Sequence, residues 1–169
     1  MKKIFITVCL LLTVLTGCNT TPLTNPNTNL EFWIAENVDD VDFSKHQEKY
    51  GIMGGYEYYG LGYIPTIDEY GQQIDPEHCV VYTITSYPDY SSKAQHITAI
   101  SITDPNIHVY GLTVNSEKQE IKTVMENEGF TVEEIGYSII ARKNDYTFSF
   151  EENQIYIMVK VTNKLGIIF

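Results

Sequence analysis

The chain has 169 residues, 43% of them hydrophobic, and sets 11 basic against 22 acidic side chains for a formal charge of −11. That length suits a single domain able to bury a core without metal or disulfide staples. So negative a surface repels phosphate backbones, which sets nucleic acid aside as a partner, and it gives no polybasic help in holding an anionic membrane.

Met1-Lys2-Lys3 opens the chain, and Ile4 to Leu15 follow as an apolar run broken only by Thr7 and Thr13. This is the order of a signal peptide. As a helix the run would span about 18 Å against a hydrocarbon core of roughly 30 Å, so it predicts a segment that is read and removed, not a permanent span. Leu15-Thr16-Gly17-Cys18 closes it. The four residues resemble the lipobox of bacterial lipoproteins: a branched apolar residue, two small residues, then cysteine. The resemblance implies cleavage after residue 17 and a diacylglyceryl group on Cys18, with palmitate-type chains holding the protein on the extracytoplasmic face of the cell membrane. Two acyl chains, at about 0.8 kcal/mol per buried methylene, anchor durably where one is marginal. In a host with an outer membrane, Asn19 resembles the pattern of lipoproteins sent outward. Removing the first 17 of 169 residues leaves 152, and with Lys2 and Lys3 gone nine basic side chains face 22 acidic ones. Cys9 leaves as well, so Cys79 is the single thiol of the domain and no intramolecular disulfide is expected. Its neighbours Val80 and Val81 point to a buried, inert thiol.

Asn19 to Asn29, NTTPLTNPNTN, is almost entirely Asn, Thr and Pro. It reads as a tether, residues 18 to 29 with the lipidated cysteine, able to lift the domain by about 35 Å when extended. The domain proper is expected from residue 30 to 169. Glu31 to Ala35 reads as a strand or docking segment, and Asp42 as the cap of a helix from Phe43 to Tyr50 stopped by Gly51. Gly51 to Tyr63 interleaves glycines with Tyr56, Tyr58, Tyr59 and Tyr63, an irregular strand or loop rich in aromatic contacts. Cys79 to Ser86 and Ile97 to Thr103 alternate with period two, are bounded by Tyr87-Pro88-Asp89 and Asp104-Pro105-Asn106, and are expected to pair as a hairpin. The spacing predicts a helix over Glu117 to Glu128, with Ser116 and Gln119 as a capping box, a stripe of Ile121, Val124 and Met125, and Gly129 as its stop. Four further strands, Phe130 to Ile135, Tyr137 to Lys143, Tyr146 to Glu151 and Gln154 to Val161, are separated too briefly for anything but antiparallel hairpins. The fold class this predicts is α+β: an antiparallel sheet of hairpins with one main helix packed on one face, a two-layer sandwich.

Gly111-Leu112-Thr113, the capped helix, Gly129-Phe130 and the hairpin run together resemble the small α+β domains of uncharacterised lipoproteins from Gram-positive bacteria. More distantly, over residues 107 to 161, they are similar to the SmpA/OmlA outer-membrane assembly lipoproteins, whose domain is shared by a β-lactamase inhibitory protein. Where that family usually has Gly-x-Pro after its helix, Gly129 leads here into Phe130-Thr131. The resemblance implies a non-catalytic protein-interaction module and carries no binding residues over.

Catalytic signatures are missing: no Gly-x-Ser-x-Gly, His-Glu-x-x-His, phosphate loop or Cys-x-x-Cys occurs. His46, His78, His96 and His108 each lack a second histidine or cysteine three or four residues away. Asp40, Asp42 and Ser44 imitate the start of a calcium loop, but Lys45 stands where glycine is needed and Gly51 where glutamate should close it, so a solvated acidic loop is expected and no metal or cofactor is assigned. The feature suited to recognition is the stretch holding Tyr56, Tyr58, Tyr59 and Tyr63, with Tyr82, Tyr87 and Tyr90 as possible neighbours, because tyrosines give contact area at little entropic cost and keep a polar tip. Against it stands plain packing at a sheet edge. The reading that follows is a membrane-anchored envelope lipoprotein that binds a protein or peptide partner. The alternatives are an envelope-polymer hydrolase using scattered carboxylates such as Asp68, Glu69 and Asp75, or a small-ligand receptor.

Overall fold

The structure, a computed structural model, describes residues 23, 26–50, 56–60, 66–67, 69–70, 73–74, 78–86 and 94–161. In chain order its elements are a short 3-10 helix Val38–Asp40, strands β1 (Gln47–Tyr50), β2 (Tyr56–Tyr59), β3 (Thr66–Ile67), β4 (Gln73–Ile74), β5 (Val80–Ser86) and β6 (Gln95–Ile102), helix α1 (Lys118–Asn127), then β7 (Thr131–Ile135), β8 (Ser138–Lys143), β9 (Tyr146–Glu151) and β10 (Gln154–Val159). Eight strands make one antiparallel sheet in the order β1-β2-β5-β6-β10-β9-β8-β7, and β3 pairs with β4 apart from it. An antiparallel sheet with one α-helix among the described residues is the expected class.

Period two in the sequence becomes one apolar face. Ile155 and Ile157 stand opposite Phe150 and Phe148 on one side and Ile102 and Ile100 on the other. Ile139 and Ala141 extend the row beyond Phe150 and Phe148, and Val80 and Tyr82 extend it beyond Ile102 and Ile100. All of these side chains are buried and belong to one core cluster. A sheet whose register slipped by one residue would turn every one of them outward, which is what fixes the register. Phe148 lies at the centre, its ring meeting those of Trp33, Tyr110, Phe130 and Phe150.

β10 pairs with β6 only as far as Met158 and Ala99. Beyond that point Ile97 N–H donates to Glu36 O (3.0 Å) and Ala35 N–H donates to Ile97 O (2.8 Å), so residues 35 and 36 take the place β10 leaves open. Of the two readings of Glu31 to Ala35, this is the docking segment and not the strand: Ala35 sits at φ 69°, and the segment turns to reach Ile97. The expected helix from Phe43 to Tyr50 is also absent. The Asp42 carboxylate accepts the Ser44 N–H (2.9 Å) in a local turn, Phe43 is buried, and Gln47–Tyr50 pairs with β2. Tertiary pairing and burial of Phe43 outweigh a weak helical preference.

Helix α1 buries Ile121 and Met125, and its nearest strands are β7 and β8. Its N-cap is Glu117, which makes no side-chain cap bond; Ser116 instead accepts the Thr113 N–H through Oγ (3.2 Å), so the expected capping box does not form. The C-terminal end is as expected. Gly129 is at φ 81°, Gly129 N–H donates to Glu126 O, Phe130 N–H donates to Met125 O, and Lys143 Nζ donates to Glu128 O at 2.7 Å. Within the segment read as tether, Leu23 is buried in the core, Thr28 bridges to Val109, and Asn29 bonds Asn106 O and His108 N–H through its amide.

Candidate functional site

Of the tyrosines singled out in the sequence, Tyr56, Tyr58 and Tyr59 lie on β2 and Tyr82 on β5. Tyr58 is half-buried; its ring stacks on Phe43 at 4.3 Å, and in register it stands opposite Tyr82. Phe32 and Phe43 both meet the Tyr82 ring edge-on. Burial pushes the Tyr82 phenol up to about 12. His46 belongs to the same cluster, with its side chain 1% exposed and Nε2 3.1 Å from Glu31 Oε2, and among the described residues its Nδ1 has no hydrogen-bond partner. This is a packed aromatic corner that Glu31 reaches from the surface, a pairing of Glu31 with His46 that spacing alone did not announce. For Tyr56 and Tyr59 the backbone register is described, opposite Ile84 and Val81. Cys18, Tyr63, Tyr87, Tyr90, Asp68 and Asp75 lie outside the described residues.

At the opposite end of the sheet the surface is built differently. Ile135 pairs with Ser138, leaving Gly136 and Tyr137 as a two-residue turn, and Gly136 takes φ 63°, a conformation suited to glycine in tight hairpins. A turn this short cannot fold its side chains back onto the sheet. Tyr137 is 91% exposed and Ile135 is 55% exposed. Beside Tyr137 opens a cavity of about 290 Å³ floored by Val114, Ile121, Ile139 and Phe150 and edged by Lys118, Glu151 and Glu152. β7 is the terminal strand of the sheet, so one row of its backbone groups has no strand partner among the described residues.

The charges around this end are unequally matched. Lys118 Nζ lies 2.8 Å from one Glu134 oxygen and Lys122 Nζ contacts the other, and together they hold the Glu134 carboxyl down at about 2. Arg142 is engaged by Glu133 at 2.8 Å. The nearby cations are thus taken by β7. Glu151 accepts only the Ser149 hydroxyl (3.0 Å), and no cation among the described residues pairs with Glu117, Glu151 or Glu152. The rim of the cavity therefore sets two carboxylates, Glu151 and Glu152, against one lysine, Lys118, already held by Glu134, over an apolar floor. Sequence reasoning placed Tyr137 at the start of a strand; the available signal was Gly136, which marks a tight turn whose second residue must stand in solvent.

A second concavity, about 420 Å³, lies on the sheet face away from the core, lined by Thr83, Thr98, Thr147, Tyr156, Arg142 and Lys160 among others. Burial, with Glu57 adding to it, raises the Tyr156 phenol. Thr98 is engaged there already, accepting from the Thr85 hydroxyl at 2.9 Å. Cys79 is buried, Glu69 is exposed, and no group of three His, Cys, Asp or Glu side chains among the described residues is placed to hold a metal ion. No helix among the described residues is long and apolar enough to cross a membrane. No family model, curated protein or solved structure matches the chain.

Proposed function

We propose that this chain is a lipoprotein anchored through Cys18 to the extracytoplasmic face of a bacterial membrane, and that its domain binds a protein or peptide partner of the cell envelope without catalysis. Helix α1 and the segment from Phe32 to Phe43 form a second layer over the apolar face of the sheet. Beyond that layer the Gly136-Tyr137 turn between β7 and β8 is the part turned toward a partner.

The observation that carries the binding reading is the exposure of Tyr137 and Ile135 side by side, 91% and 55%, on a tight turn next to an apolar-floored cavity. Large aromatic side chains held rigidly at a surface are the usual anchors of interfaces. The open edge of β7 adds a row of backbone groups that an extended segment can pair with. The anchor rests on the positive start, the apolar run and Leu15-Thr16-Gly17-Cys18. Labelling cells with a fatty-acid analogue tests it: the wild type takes label and pellets with membranes, whereas Cys18→Ser does neither, and label retained by that variant contradicts the anchor. A photo-crosslinking residue at position 137, in cells, tests the binding. A discrete adduct with one envelope protein is expected, and a bare monomer contradicts it. A small-ligand receptor is the second reading, favoured by the hydroxyl-lined concavity around Thr83, Thr147 and Tyr156. For that reading, an envelope metabolite must raise the melting temperature in proportion to the logarithm of its concentration.

A further inference from the structure

The cavity beneath Tyr137 also constrains what the partner must look like, an inference that rests on the binding reading above. We propose that it receives a large apolar side chain from a basic stretch of a protein partner, with lysines or arginines beside that anchor facing Glu151 and Glu152. Val114, Ile121, Ile139 and Phe150 give the floor no charge, so the group that fills it is apolar.

The flanks are decided by charge. Glu151 and Glu152 are exposed, and Lys118, the one cation lining the cavity, is held by Glu134. Within a Debye length of about 8 Å at physiological salt, two carboxylates without a cation partner among the described residues repel an acidic segment or an anionic lipid surface and attract a basic one. The formal charge of −11 on the whole chain adds long-range steering in the same direction. Discrimination here comes as much from rejecting acidic partners as from holding basic ones.

Two short acetylated peptides serve as probes, one with a central leucine flanked by lysines and its twin with glutamates in their place, titrated into the isotope-labelled protein. The lysine peptide is expected to shift the amides of Val114, Tyr137, Ile139 and Glu152 saturably and to bind at least about tenfold tighter than its twin. Tyr137→Ser is expected to abolish the shifts, and Glu151→Lys combined with Glu152→Lys to erase the preference. Both changes are at exposed positions and leave the fold intact, which the spectra themselves report. Equal binding of the twins, or shifts confined to Thr83 and Thr147, overturns the proposal. If the lysine peptide fails while the crosslinker at 137 still captures an envelope protein, the basic anchor is wrong and the binding reading stands. If both are silent, both fall.

Discussion

The two ends of the sheet use tyrosine in opposite ways. At the β2–β5 end Tyr58 lies flat on Phe43, with Tyr82 2% exposed beneath Phe32, whereas at the β7–β8 end Tyr137 projects from a two-residue turn. The first pair stabilises the domain; the second offers itself to something else. A run of tyrosines in sequence therefore does not locate a binding face. What decides is whether the backbone places the ring on the inward period of a strand or at the tip of a turn.

The contrast can be broken by mutation. The largest effect is expected at the shared centre: Phe148→Ala removes a fully buried ring that meets four other aromatic side chains and should cost about 3–5 kcal/mol, a loss visible in the urea midpoint and large against the usual total of about 5–15. Tyr58→Ala is expected to cost about 2 kcal/mol through its lost stack on Phe43, whereas Tyr137→Ala should stay within about 0.5 kcal/mol by the same assay while abolishing crosslinking. Similar losses at both positions would erase the distinction. Gly136→Ala forces a side chain into φ 63° and should cost about 1 kcal/mol, and the reshaped turn should lower partner capture although no contact atom is removed.

The pH response separates the two ends further. Glu134 is held at about 2 by Lys118 and Lys122, below the ordinary carboxylate value of 4.5. Its contribution is therefore complete above pH 4.5 and declines as pH falls toward 2, and Glu134→Gln should flatten the acid limb of the stability profile. Tyr82 runs the other way. Its phenol is raised from 10 to about 12, so the stability it lends is complete below pH 10 and is lost as pH rises through 12. Tyr110 is raised to about 12 as well, so Tyr82→Phe should remove part of the alkaline limb and not all of it.

Much of the C-terminal sheet was legible because its signals are local. Alternation in Tyr146-Thr147-Phe148-Ser149-Phe150, the turns at Gly136, Asn144 and Asn153, and the stop at Gly129 each act within a few residues, and the strands and the end of the helix follow them closely. The region from Glu31 to Tyr50 was less legible, and its helix from Phe43 to Tyr50 wrongly expected, because its structure is set at a distance. Ala35 turns to meet Ile97, Phe43 is drawn under Tyr58, and His46 is placed against Glu31, none of which a periodicity records. Ser116 was legible as a cap but is used one turn earlier, by Thr113. Tyr137 escaped notice for a related reason: alternation assigns a residue to a strand face, and only the pairing of Ile135 with Ser138 shows that it stands in the loop.

Tyrosine nitration mapped by mass spectrometry, on the purified domain and again on intact cells, tests the central contrast most directly. The account predicts that in the purified protein Tyr137 reacts at nearly the rate of a free tyrosine while Tyr82 is protected, and that on cells Tyr137 becomes protected because its partner covers it. Tyr137 reacting equally fast in both settings, or Tyr82 reacting alongside it in the purified domain, would contradict the account.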